Sequence, residues 1–288
     1  MSRLSKIKWK IDMVAQSSIV HREVITAASG NFALFRREKS ITPDNIALQV
    51  PMVSGGGFRG ALRRIGEELT AEALDYEDAA LPVPAAHLLT NGGRLAKSKT
   101  PLDNEGIRRL RDLVPLIAVF GGAASGRIMS GLLHVGKPVP EVAETTHILD
   151  RPPQSAPLPA VRALGAEWFG HLSDHRTNLD QPPCTDRDDK TSPLARFGVE
   201  TLPAGTRLQT WVLLNNATSV QAAFVRDILD EFASDGHLGG RASAGHGRVI
   251  VNLSHEVKRG QFPGEDVDWR AELKSRRDEA IAALSKLS

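Results

Sequence analysis

"TRLQTWVLLNNATSVQAAFVRDILDEFASDGHLGGRASAGHGRVIVNL" (residues 206–253) decides the reading of this chain. The first part, 206–215, is apolar and strand-like. Residues 218–232 then change period: Val220, Phe224, Ile228 and Phe232 recur on one helical stripe. Thr218 followed by Gln221 is a capping box at the helix start, and Asp235-Gly236 is a stop. Residues 247–253 return to a strand pattern, so the stretch reads as a strand–helix–strand unit of the βαβ type.

Working outward, "KIKWKIDMV" (6–14) alternates strictly, with Ile7, Trp9, Ile11 and Met13 on one face and Lys6, Lys8, Lys10 and Asp12 on the other. That is a half-buried strand. Further strands or a hairpin fill the chain to about residue 50, with "ASGN" (28–31) as a turn. Pro51 and Gly55–Gly57 mark a loop, and Leu62, Ile65, Leu69 and Ala73 a helix after it. The N-terminal strand, loop and helix form an interrupted second unit. Two such units packed together predict an α+β, ferredoxin-like antiparallel sheet with helices on one face and long insertions. We read one domain over residues 1–288, with a helical insertion at 76–125, a strand or hairpin at 125–142 and a polar, proline-rich excursion at 151–195. "DWRAELKSRRDEAIAALSKL" reads as a terminal helix, packed on its own domain or on a neighbour.

Composition narrows the function. The 288 residues are 41% hydrophobic and 24% charged, ordinary for a globular protein with a sizeable core. The longest apolar runs are too short to span a bilayer, so no membrane partner is expected. The start of the sequence has no apolar secretory segment, and a lone Cys184 excludes an internal disulfide; a cytoplasmic location is expected. Net charge is only +2, so any polyanion site is a local patch. Aromatics make up 5% of the chain, few for a protein that stacks many bases. Backbone contacts would therefore dominate nucleic-acid binding.

Two glycine-rich segments supply such contacts. One is Ser54, Gly55, Gly56 and Gly57 with Arg59 and Arg63; the other is Gly239, Gly240, Arg241, Ser243, Gly245, His246 and Arg248. Glycine brings backbone N–H groups close to a phosphate, and arginine adds charge. Neither segment is a nucleotide P-loop, since "GGGFRGALRR" lacks the terminal lysine and hydroxyl. Nor does "GGRASAGHG" open a helix as a dinucleotide fingerprint does. The bland alternatives are a simple helix-to-strand turn for the second, and i,i+4 pairs (Arg63–Glu67, Arg64–Glu68) on a solvated helix for the first. His171, Asp174, His175 and Cys184 contain an i,i+4 histidine pair, but in a polar stretch with no closed ligand set; no metal and no cofactor are expected.

In three segments the sequence resembles the RAMP superfamily of CRISPR effector proteins. "VPMVSGGGFRGALRR" is similar to its loop–helix motif, "AVFGG" with "GLLHVGKPVP" to its central motif, and "LGGRASAGHGRV" to its C-terminal glycine-rich loop. They occur in the same order over most of the chain. The resemblance implies an RRM-related fold. Chain length and excursions are most similar to the backbone-forming subunit, of a type IV system. It further implies binding of CRISPR guide RNA without regard to base sequence, by copies of the chain stacked head to tail with other effector subunits. Target nucleic acid would be read by guide pairing. The excursion at 170–195 would supply the hairpin that kinks the guide in related subunits.

One departure bears on catalysis. Gly136-Lys137-Pro138 stands where several relatives carry an aspartate-alanine pair, and no aspartate here matches the loop residue that cleaves RNA in some relatives. We therefore expect no catalytic residue and no enzyme activity. The leading alternative is a RAMP endoribonuclease that processes the guide precursor, with His21 or His246 as base. A third is a ferredoxin-like interaction domain that binds no RNA.

Overall fold

The computed structural model describes residues 4–23, 32–76, 81–95, 97–98, 101–172 and 194–287. In chain order the strands are β1 (Ser5–Ala15), β2 (Phe32–Ala33), β3 (Arg37–Ile41), β4 (Ala47–Pro51), β5 (Gly122–Ala124), β6 (Arg127–Met129), β7 (Leu133–Val135), β8 (Val139–Pro140), β9 (Gly165–Leu172), β10 (Leu194–Thr201), β11 (Arg207–Ala217) and β12 (Val249–Arg259). The helices are α1 (Gly55–Leu74), α2 (Val83–Thr90), α3 (Asn104–Leu113), α4 (Pro115–Phe120), α5 (Ala160–Ala163), α6 (Ser219–Asp235), α7 (Trp269–Ser275) and α8 (Arg277–Leu284).

The alternation of β1 is realised along its whole length: Ile7, Trp9, Ile11 and Met13 are buried while the lysines between them stay half-exposed. β1 lies at the centre of the main sheet, whose order is β12-β1-β11-β7, with β8 also pairing β11. β11 and β12 both run antiparallel to β1, so they are parallel to each other and α6 forms the crossover between them. This is the ferredoxin-like arrangement, with α1 and α6 sharing one core with the apolar face of β1. α6 carries the predicted capping box: Gln221 N donates to Thr218 Oγ1 and Thr218 N to Gln221 Oε1.

The apolar face of α1 is rotated from the sequence reading. Phe58, Leu62, Gly66 and Ala73 are buried, whereas Ile65 and Leu69 are only partly so. A Cβ at Gly66 would lie 2.9 Å from Ile228 Cδ1 and 3.0 Å from Leu116 Cδ1, so this glycine admits a close α1–α6 crossing. A hydrophobic count cannot detect a face completed by a glycine.

Insertions build the rest. Pro115 opens α4 and separates it from α3, as the proline interruption predicts. Residues 122–140 pair in three places rather than as a single strand or hairpin: β5 pairs β6, and β7 and β8 each pair β11 of the main sheet. Across the expected excursion and just beyond its end, β9 and β10 form an eight-pair antiparallel ladder, Gly165↔Thr201 to Leu172↔Leu194. Residues 173–193 lie outside the described residues, as does the "ASGN" turn; so do Asp174, His175, Cys184 and the body of the expected kinking hairpin. The C-terminal helix is two, broken at Arg276, and both pack on this domain through Trp269, Leu273, Ala280 and Leu284. Trp269 Nε1 donates to Asp227 Oδ2 of α6 at 2.8 Å. Among the described residues no helix is long and apolar enough to cross a membrane.

Candidate nucleic-acid interface

Residues 16–23, which leave the end of β1, hold both glycine segments. On one side Gly240 N donates to Val20 O at 2.7 Å, Gly247 N to Ser18 O at 2.9 Å and Gln16 N to Arg248 O at 2.8 Å. On the other side Ser54 N donates to His21 Nε2 at 3.1 Å, and Ser54 Oγ accepts from Gly57 N at 3.0 Å to cap α1. Two motifs almost two hundred residues apart thus meet across one short stretch of chain.

The C-terminal loop is shaped by close backbone approach. Gly239 and Gly247 have φ of +89° and +87°, and a Cβ on either would fall 2.3 Å from a carbonyl oxygen, of Val20 and Leu238 respectively. These two glycines serve the chain's own packing. Gly245, also at positive φ, faces open space, and a Cβ on Gly240 would meet only Val20 O, at 3.9 Å. Between them Arg241, Ser243 and Arg248 are exposed. The Arg241 guanidinium lies 4.7 Å from the Phe169 ring centre on β9. Arg248 is 3.8 Å from Asp235 at the surface.

His246 is placed otherwise. It is 4% exposed, its Nδ1 is 2.9 Å from Ser18 Oγ, and its enclosed Nε2 has no hydrogen-bond partner among the described residues. Its ring meets Phe169 edge-on. His21 is also committed, with Nε2 accepting from Ser54 N, so the ring is held in its neutral form. Burial, followed by repulsion from Arg36, lowers its pKa, outweighing Glu23 and Glu38.

The α1 segment divides in two. Gly55 and Gly56 occupy the first turn, whose N–H groups precede the first intrahelical bond. Gly56 faces a cavity of about 410 Å³ that Arg59, Arg64 and Asn91 also line. Arg64 is exposed on the helix surface. Arg63, however, is 8% exposed, and its guanidinium donates to Leu88 O at 3.0 Å, Phe120 O at 3.0 Å and Gly121 O at 2.8 Å. It therefore caps the C-terminal carbonyls of α2 and α4. Arg59 joins it, donating to Phe120 O at 2.7 Å and Leu133 O at 3.2 Å. Burial, with Arg59 alongside, lowers the Arg63 pKa to about 10, so the group stays charged at neutral pH. The expected Arg63–Glu67 surface pair is replaced: Glu67 accepts the Tyr76 hydroxyl instead. Neither phosphate contact nor surface decoration describes Arg63; it ties the helical insertion to α1.

Sequence reasoning missed Arg22, which is exposed in the shared stretch between the two glycine segments. The adjacent "HR" at the end of β1 was the available signal. The exposed groups that the fold brings together are thus Arg22, Gly240, Arg241, Ser243, Gly245 and Arg248, with Gly55 and Gly56 across the stretch.

The RAMP superfamily model matches residues 36–250, from β3 through the glycine-rich loop. No curated protein sequence matches the chain. Among solved structures, a chain of the "Type IV-B CRISPR Complex" is 48% identical, aligns over 91% of this chain and 96% of its own length, and superposes with a TM-score of 0.64. With the family's fold and its ordered motifs both present, the chain belongs to the RAMP superfamily.

Proposed function

We propose that this chain is a subunit of a CRISPR effector, most similar to type IV-B, and that it binds guide RNA as the repeated backbone protomer. Membership of the superfamily and the 48% identical chain of a type IV-B complex support the effector assignment. The observation that carries the RNA-binding role is the joining of both glycine segments by residues 16–23, with Arg22, Arg241 and Arg248 exposed beside open glycine backbone. Such a surface offers arginine charge and the first-turn N–H groups of Gly55 and Gly56, the N–H groups of Gly240, Gly245 and Gly247 being bonded within the chain, and little that reads base edges, which suits a protein whose specificity comes from guide pairing. In this reading copies stack head to tail, other effector subunits close the assembly, and the target strand pairs with the guide. The protein works in the cytoplasm without a cofactor.

The histidine geometry favours binding over precursor cleavage. A general base needs a free acceptor nitrogen within reach of the attacking hydroxyl. His21 Nε2 is taken by a backbone N–H, and His246 is enclosed under the loop. The test is to purify the chain expressed alone and with its guide, and to measure bound nucleic acid and particle size. Large particles protecting RNA of regular length are expected. A nucleic-acid-free monomer from both preparations refutes the proposal, and a single copy on a cleaved hairpin would favour the nuclease.

A further inference from the structure

The main sheet has a second face, turned away from α1 and α6. Lys6, Lys8 and Lys10 project from β1 on that face, at a two-residue spacing of about 6.8 Å. That is the rise of about two stacked nucleotides along one strand. Trp211 of β11 stands directly opposite Lys10 in the register, and Lys8 Nζ lies 5.6 Å from the centre of its indole.

The acids near this face are all engaged. Asp150 pairs with Lys8 at 3.1 Å and with Arg151 at 3.4 Å, and Asp12 pairs with Arg151. Glu38 bonds Lys137 and Arg36. Glu256 bonds Lys258, which holds its carboxyl below the usual range, with Lys10 and Lys8 adding to the effect. Among the described residues Lys6, Lys10 and Lys39 have no carboxylate bonded to them. The face therefore retains unneutralised positive charge in a chain whose net charge is only +2.

A groove of about 780 Å³ opens beside Trp211, lined by Lys39, Met52, Gly136, Lys137 and Gln209 among others, with the ion-paired carboxylates of Glu38 and Asp150 also on it. The indole rests against Gly136, where a Cβ would fall 2.8 Å from Trp211 Nε1. The groove also adjoins the first turn of α1, because a Cβ on Gly55 would lie 3.7 Å from both Gly136 O and Lys137 Cγ. Gly55 thus packs against the Gly136–Lys137 wall of this groove.

We infer that this face carries a second stretch of single-stranded nucleic acid. The strand continues from the α1 first turn through the groove, a base lies against Trp211, and phosphates meet Lys10 and Lys6. The inference rests on the RNA-binding role proposed above. Stacking on an aromatic ring and lysine–phosphate contact are both indifferent to base identity, as that role requires.

The experiment measures affinity of the full chain for fluorescein-labelled oligouridine across salt concentrations, comparing wild type with K6Q/K10Q and with R241Q/R248Q. Each lost phosphate contact on a single strand lowers the slope of log K against log salt by about 0.7, so K6Q/K10Q should lower it by about 1.4. Photocrosslinking to 5-iodouridine RNA should label the peptide containing Trp211. An unchanged slope in K6Q/K10Q, or no Trp211 crosslink, overturns the inference, while a reduced slope in R241Q/R248Q leaves the glycine-loop role standing. If wild type does not bind and R241Q/R248Q changes nothing, the underlying role has failed and the inference falls with it. Stronger wild-type binding of polyglutamate than of oligouridine, abolished by K6Q/K10Q, overturns it in favour of an acidic protein partner.

Discussion

Arg63 offers the sharpest test of the structural reasoning. Replacing it with methionine preserves most of the stem volume and removes the guanidinium that donates to Leu88 O, Phe120 O and Gly121 O. Hydrogen bonds to a charged group contribute about 1.5–3 kcal/mol each. Releasing the cost of burying the charge offsets part of the loss of three, and the carbonyls of Leu88 and Gly121 left without this donor add to it, while Phe120 O keeps its bond from Arg59. We expect R63M to destabilise the protein by about 3–4 kcal/mol. At about 2–4 °C per kcal/mol for a chain somewhat shorter than this one, that is a Tm lowered by at most about 6–16 °C. R63K retains the charge but cannot spread it over three carbonyls, and should fall between wild type and R63M. Urea denaturation and a thermal melt of RNA-free protein provide the measurement. If R63M stays within about 1 kcal/mol of wild type, the capping role is wrong. A loss of RNA affinity at unchanged stability would restore the phosphate contact read from the sequence.

Two further outcomes follow from the same geometry. Gly247→Ala places a Cβ 2.3 Å from Leu238 O at φ +87°, whereas Gly245→Ala, at φ +85°, meets open space. Urea titrations should show about 1–2 kcal/mol lost for the second and clearly more for the first, and equal losses would refute the close-approach argument. For His21 the folded pKa lies below the ordinary 6.5, so the unfolded chain binds the extra proton as the pH falls through that value. Stability should be constant above about pH 7 and decline below 6.5 towards the folded pKa, by at most about 1.4 kcal/mol per pH unit; His21→Leu should remove this component. A wild-type profile that rises on acidification contradicts the neutral, accepting imidazole.

Much of this molecule was legible before folding was considered. Strict alternation from Ile7 to Met13, the Thr218–Gln221 capping box and the stripe Phe224–Ile228–Phe232 are local patterns with one stable answer each: a half-buried central strand, and a helix lying on it. The strand–helix–strand order then fixes the crossover, and with it the ferredoxin-like sheet. Even the boundary errors are local in origin. β12 begins at Val249, two residues later than the pattern suggests, because Gly247 is turned at positive φ to donate to Ser18 O.

What the sequence left open was decided by partners far away along the chain. The helical spacing of "RGALRR" sets Arg59 and Arg63 beside the apolar face and Arg64 away from it, yet the carbonyls that claim Arg63 lie 25, 57 and 58 residues downstream. His246 reads as an exposed loop histidine until Ser18, 228 residues away, covers it. A hairpin in the excursion is implied only by the resemblance; the β9–β10 ladder has no local signal because a long polar stretch separates its two strands. Side-chain periodicity is a property of neighbouring residues and survives in the bare sequence. Whether a charge faces solvent, a carbonyl or a ligand depends on which distant backbone the fold brings against it, and tertiary packing alone determines that.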